Sequence, residues 1–241
     1  MPFLAAEDNS LPPINRAVID AVHSMPSGGR YSTSPAANRS LSGAVSPEGN
    51  ILSVRPGGAV PSYCSGATYL VFLKALSGLQ NAGRLTLSPE TIAALRPAGQ
   101  PDGTGIWGRW NANGPGTARL FLELGLGPNF TDLSAARPGD FLKIFWNDGI
   151  GASEHGHSVV FLGRNPATGT LTFWSSNIPD GYGTRTVPLS RIHRLLFSRL
   201  EHPENLNRPL LPGTDPYLSA LVHRSSSPGE MARQCGLDSA R

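Results

Sequence analysis

The sequence predicts a mixed α+β domain, with helices first and an antiparallel sheet after them. Three observations carry this reading. The stretch CSGATYLVFLKALSGLQ at 64–80 spreads apolar residues around most of a helical circumference. From 140 to 200 the pattern changes to four short runs of β-branched and aromatic residues separated by turn formers. Glycine (28) and proline (22) make up about a fifth of the 241 residues, which excludes coiled coils and long-helix bundles, and no Gly-X-Y period points to a collagen. The length suits one domain with tails.

The elements follow in order. PPINRAVIDAVHSM opens on two prolines and places Ile14, Val18, Ile19 and Val22 on one face, as a short helix does. From Ser24 to Pro61 the chain is rich in Ser, Gly, Pro and Asn, with isolated apolar residues, and reads as an arm or long loop. The helix at 64–80 carries Ala67, Leu70, Val71, Phe72, Leu73, Leu76 and Leu79, so deep burial is expected, and Asn81-Ala82-Gly83 end it. SPETIAALRP at 88–97 starts a further helix at Ser88-Pro89-Glu90. Residues 99–117 hold Trp107 and Trp110 among six glycines and read as a loop. TARLFLELGLG at 117–127 reads as a helix. DFLKIFW (140–146), HSVVFLGR (157–164), TLTFWSSN (170–177) and RLLFSRL (194–200) read as strands, the second and third joined by a hairpin at Asn165–Gly169. PYLSALVH gives one more short helix before a polar tail. The expected organisation is an N-terminal arm (1–59), a central domain (60–202) and a C-terminal extension (203–241), with 1–50 and 225–241 dispensable for the chemistry.

Charge and cysteine count exclude several classes. The net charge is +3, the cations are scattered, and only Lys74 and Lys143 of the 20 basic residues are lysines, so no nucleic-acid footprint is present. No run approaches the ~18 apolar residues of a membrane span. The opening MPFLAAEDNS lacks the basic and apolar regions of a signal peptide. Two cysteines are too few for a disulfide framework and lack zinc spacing. Cys235 lies in the polar tail, and Cys64 is expected as a free thiol.

Cys64 is the leading nucleophile candidate. It opens the most apolar helix, where unsatisfied N–H groups and the helix dipole stabilise a thiolate. Tyr63, Ser65 and Gly66 flank it; a buried core cysteine is the plainer alternative. Of the six histidines, His157 stands at the mouth of a buried strand and is the expected base, while His155 reads as a surface residue. Glu154-His155-Gly156-His157 lacks a third and fourth ligand at metal-site spacing, so no metal or cofactor is expected. Hairpin arithmetic sets His157 opposite residue 176 or 177, so one of Ser175, Ser176 and Asn177 is expected to orient the imidazole.

The order PSYCSGATYLVF, RPGDFLKIFW, GHSVVFLG, LTFWSSN resembles the NlpC/P60 and CHAP branch of the papain-like cysteine peptidases, over roughly residues 60–200. The resemblance implies a papain-like α+β fold in which the nucleophile helix packs on an antiparallel sheet. It implies Cys64 as nucleophile, His157 as base, and Ser175 as third residue, with Asn177 as second choice. Tyr63 stands where the family commonly has Asp, and the segment carrying Trp107 and Trp110 is longer than usual. The implied activity is hydrolysis of amide bonds, in peptidoglycan above all, outside the cytoplasm. A peptidoglycan or peptide substrate follows, with an immunity protein as partner if the chain is a delivered toxin. Two alternatives stand beside it: a cysteine-dependent acyltransferase, and a wall-binding module with a decayed site. Tyr63, Trp107 and Trp110 are the expected substrate-binding residues, the two tryptophans as one wall of the cleft.

Overall fold

The computed structural model describes residues 11–208, 211 and 213–237. Along these the chain forms α1 (Pro13–His23), β1 (Gly28–Gly29), α2 (Pro35–Gly43), β2 (Val45–Glu48), β3 (Ile51–Val54), α3 (Cys64–Asn81), α4 (Pro89–Ala94), α5 (Gly105–Asn111) and α6 (Gly116–Leu124). There follow β4 (Asn129–Phe130), β5 (Phe141–Phe145), β6 (Gly156–Asn165), β7 (Thr170–Asn177), β8 (Gly181–Pro188), β9 (Arg194–Ser198), α7 (Pro216–Ala220) and α8 (Pro228–Gln234). The class is α+β. Seven strands form one antiparallel sheet in the order β1-β8-β7-β6-β5-β9-β4, and β2–β3 make a separate hairpin.

The α3 helix is the central element. Thirteen of its 18 residues are buried, because it lies against β6 and β7 on one side and against α1, β3 and α5 on the others. The sheet's two-residue side-chain period divides its apolar residues between two cores. Phe141, Val160 and Trp174 join the cluster around α3. Leu142, Ile144, Val159, Phe161, Leu171 and Phe173 fill a second cluster with Phe197.

The N-terminal segment packs against the domain. Val18, Val22, Leu41 and Leu52 are buried in the same cluster as Leu70 and Leu73 of α3. At the other end, Met231 and Cys235 pack with Phe145, Ile150 and Leu196. Cys235 is 1% exposed, so the polar tail expected from the sequence is in part core. The boundaries at 59 and 203 therefore cut through shared packing; of the segments 1–50 and 225–241, expected to be dispensable for the chemistry, residues 1–10 and 238–241 lie outside the described residues.

The Pro138-Gly139-Asp140 turn is a structural junction. Gly139 has φ +91°, and a Cβ there would come within 2.6 Å of the Asn15 carbonyl oxygen, so α1 can approach only because the residue is glycine. Asp140 is fully buried. Arg199 grips it with two bonds, Nε to Oδ1 at 2.9 Å and Nη2 to Oδ2 at 2.8 Å, and Asn15 Nδ2 adds a third at 2.9 Å. One carboxylate thus ties α1, β5 and the end of β9 together.

Candidate active site

Cys64 is the first residue of α3, with Tyr63 in extended conformation before it. Extended backbone up to position 63 and helix from 64 place the side chain at the mouth of the helix, half-buried. His157 is the second residue of β6. The β6–β7 pairing runs Val160 to Trp174 and Phe161 to Phe173, with a bulge between Phe161 and Gly163. Continued, this register sets His157 opposite Asn177.

The side chains obey the register. His157 Nε2 lies 3.2 Å from Asn177 Oδ1. The Asn177 amide nitrogen donates to the carbonyls of Ser175 (3.2 Å) and Gly183 (2.8 Å). Those two acceptors fix the amide so that its oxygen faces the imidazole, and Nε2–H donates to it. Nδ1 is thereby left unprotonated and able to accept a proton, and His157 is among the hydrogen-bond partners of the Cys64 thiol. Trp146 (centroids 6.5 Å apart) and Phe173 (5.6 Å) flank the ring. His155, by contrast, is exposed, and its backbone N–H binds Asn147.

Ser175 was the first expectation for the third residue, and the structure corrects it. Its hydroxyl donates to the Ser158 carbonyl at 2.7 Å, and the residue is fully buried. Ser176 accepts a hydrogen bond from Ser62 at 2.8 Å, which pins the segment leading into Cys64 onto β7. Asn177 is the orienting residue because it ends the strand, where its amide reaches the imidazole directly opposite.

Electrostatics favours the thiolate. Burial is the largest single influence on Cys64 and opposes ionisation. The hydrogen bond and charge of His157, the Ser158 backbone N–H and the charge of Lys143 together outweigh it, lowering the thiol to about 6. At Cys235 burial outweighs the charge of Arg119 and pushes the thiol up to about 12.

A cleft of about 280 Å³ opens beside Cys64, and Tyr63, Asn38, Asp102, Asn111, Lys143 and Ser158 are among its lining residues. Lys143 Nζ is 2.6 Å from Glu154 Oε1, and Glu154 Oε2 accepts from the Gly151 N–H at 3.0 Å and from the Gly114 N–H. The pair lies close over Gly156, where a Cβ would come within 2.7 Å of Lys143 Cε and 2.8 Å of Glu154 Oε1 and would displace these side-chain ends. The Glu-His-Gly-His stretch thus carries an ion-pair anchor, Glu154, and then the imidazole that Asn177 holds. Among the described residues, no group of three or more His, Cys, Asp and Glu is placed to share an ion. Burial raises the Asp102 carboxyl, and hydrogen bonds from Asn113 N–H and the Asn111 amide offset this only in part.

The tryptophans are a second correction. Trp107 is 5% and Trp110 2% exposed, and neither lines the cleft. Residues Gly105–Asn111 form a helix rather than a loop and turn both indoles inward. Trp110 stacks on Phe72 (centroids 4.9 Å) and meets Phe141 edge-on (5.0 Å), while its N–H reaches the Ser65 carbonyl at 3.2 Å. Trp107 packs on Tyr69 at 5.0 Å. The wall-binding alternative loses the exposed indoles on which it rested. Tyr63 does line the cleft, its hydroxyl bonded to Asn38 Oδ1.

Sequence reasoning missed Tyr31. Its hydroxyl donates to the Cys64 sulfur at 3.8 Å. Tyr31 lies in the Ser/Gly/Pro-rich segment, 33 positions before the cysteine, and nothing in its local pattern marks it. A comparison with protein-family models, curated proteins and solved structures finds no match for the chain. Among the described residues no helix is long and apolar enough to cross a membrane.

Proposed function

We propose that the chain is a cysteine-dependent acyl-transfer enzyme of the papain-like kind, resembling the NlpC/P60 and CHAP branch. Within that class we read it as a hydrolase of amide bonds in bacterial peptidoglycan, working outside the cytoplasm. The observation that carries the reading is the line from Cys64 to His157 to Asn177, with the thiol lowered to about 6. A structural cysteine has no use for an oriented imidazole and a depressed pKa.

The chemistry follows from the geometry. The Cys64 thiolate attacks the amide carbonyl carbon, and the carbonyl electron pair moves to oxygen. The Cys64 N–H is among the helix-opening donors that have no intrahelical acceptor, and it is the natural backbone donor to that oxygen. His157, protonated on Nδ1, gives its proton to the leaving amine as the C–N bond breaks. The thioester then accepts water, deprotonated by the same nitrogen, and release of the acid restores the thiolate. Asn177 holds the ring through both steps. The polar cleft lining of Asn38, Asp102, Asn111 and Lys143 supports a peptide substrate, whose amide groups need such partners. If the enzyme is a delivered toxin, an immunity protein that covers this cleft is the expected partner.

Purified peptidoglycan digested with the protein and analysed by mass spectrometry tests the reading. Stem peptides with a new amine and a new carboxylate should form with the native chain and not with Cys64→Ala. Unchanged muropeptides under both conditions would count against it.

A further inference from the structure

The N-terminal segment brings a hydroxyl to the Cys64 sulfur, and three backbone hydrogen bonds, one to Pro179 and two with Ser62, secure it there. Tyr31 N–H donates to the Pro179 carbonyl at 3.0 Å, Ser32 N–H to the Ser62 carbonyl at 2.8 Å, and Ser62 N–H to the Arg30 carbonyl at 3.1 Å. One step earlier, Gly28 and Gly29 pair with Tyr182 and Gly181 at the edge of the sheet. Arg30, between these anchors, has φ +63°, and no other described non-glycine residue has a positive φ. A left-handed backbone at an arginine costs energy and persists only where the surroundings impose it; such positions cluster at functional sites. Here it turns the Tyr31 ring toward Cys64, where both line the cleft.

We propose that Tyr31 is a catalytic residue, whose hydroxyl is the side-chain donor for the oxyanion formed when Cys64 attacks a carbonyl. This rests on the hydrolase reading. The oxyanion stands two bonds from the sulfur, so a donor 3.8 Å from Sγ needs only a small turn to reach the ~2.7–3.1 Å at which oxyanion donors work. In the free enzyme the hydroxyl faces the thiolate. As the C–S bond forms, sulfur gives up its negative charge and becomes a weak acceptor, while the substrate oxygen gains the charge. The hydrogen bond transfers from sulfur to oxygen, and no proton leaves the phenol. That differential preference for the transition state is what accelerates a reaction. Tyr31 is also kept as a donor: burial, and then the neighbouring Cys64 charge, push its phenol well above the ordinary value, so it stays protonated at any working pH. The oxyanion would then receive two bonds, from the Cys64 backbone and from Tyr31.

Two reagents that modify the same sulfur separate this role from its rivals. Iodoacetamide alkylates Cys64 by displacement and forms no oxyanion. p-Nitrophenyl acetate acylates it through a tetrahedral oxyanion. Tyr31→Phe removes one oxygen atom, so the fold should keep its melting temperature. The expected result is a fall of about 100-fold in the acylation rate, as for loss of one oxyanion donor, with alkylation changed less than about threefold. An equal fall in both rates would make Tyr31 a thiolate-tuning residue and overturn the assignment, and so would no change in either. If Cys64 of the native chain reacts with neither reagent faster than a simple thiol at pH 7, the hydrolase reading itself fails, which is a distinct outcome.

Discussion

Asn177 holds His157 at 3.2 Å through an amide whose two N–H groups are already committed to the carbonyls of Ser175 and Gly183. The imidazole is thus oriented by an oxygen that cannot rotate away. Removing the amide should misplace the base without removing it. Asn177→Ala should lower kcat by about 100-fold, the order expected for a misplacement near 1 Å, with KM little changed. Ser175→Ala, which loses only a bond to the Ser158 carbonyl, should keep most of its turnover. Steady-state kinetics on a soluble peptidoglycan fragment checks both. His157→Ala should abolish turnover, and His155→Ala should not.

The two thiols should titrate far apart. Cys64 is lowered to about 6 and Cys235 raised to about 12. Since the thiolate is the reactive form, alkylation of Cys64 should be near its plateau at pH 7–8 and fall tenfold per pH unit below about 6. Cys235 should stay unlabelled in the native protein across this range. Peptide mapping after timed iodoacetamide treatment reads both. A Cys64 profile with its midpoint near the ordinary thiol value of about 8.5 would show that His157 does not hold the thiolate.

Asp140 and Arg199 form a pair that should prove costly to break from one side. Asp140 has no exposure and Arg199 8%, so Asp140→Asn leaves a largely buried guanidinium without its counter-charge. A loss of about 3–5 kcal/mol in urea unfolding is expected. Any loss of activity should follow the loss of folded protein, because this pair lies at the junction of α1 with the sheet and not in the cleft.

The tryptophans should behave as core. Trp107→Ala and Trp110→Ala should each cost about 3–5 kcal/mol, seen as a lower melting temperature. Trp107→Ala, whose partners are Tyr63 and Tyr69, should leave KM on a peptidoglycan fragment within about twofold. A raised KM with an unchanged melting temperature would return this residue to the cleft.

Much of the fold was legible because burial writes a strong period. The α3 helix and the strands β5, β6, β7 and β9 lie where apolar runs placed them, since each is buried on at least one face. β8 was not legible: GYGTRTVP packs Tyr182 inward but leaves Thr184, Arg185 and Thr186 exposed, so no alternation stands out. The short strands β1, β2 and β3 are held by pairing rather than by composition. At the site, Cys64 and His157 could be read from their positions at element starts. The choice between Ser175 and Asn177 needed the true strand register, which depends on a bulge beyond Phe161. Tyr31 was hidden because its placement depends on long-range backbone bonds to Ser62 and Pro179. The Trp107–Trp110 segment misled for a related reason: its glycines suggested a loop, whereas they permit a short helix to pack closely enough to bury both rings.

The central claim is that Cys64 carries the acyl group of a cleaved amide. Intact-protein mass spectrometry of a reaction quenched in acid during turnover of a peptidoglycan fragment, followed by peptide mapping, tests it most directly. The account predicts an added mass equal to the acyl half of the substrate, located on the peptide that contains Cys64 and lost on longer incubation as water completes the cycle. Cleavage that persists in Cys64→Ala, or an adduct on any other residue, would contradict it.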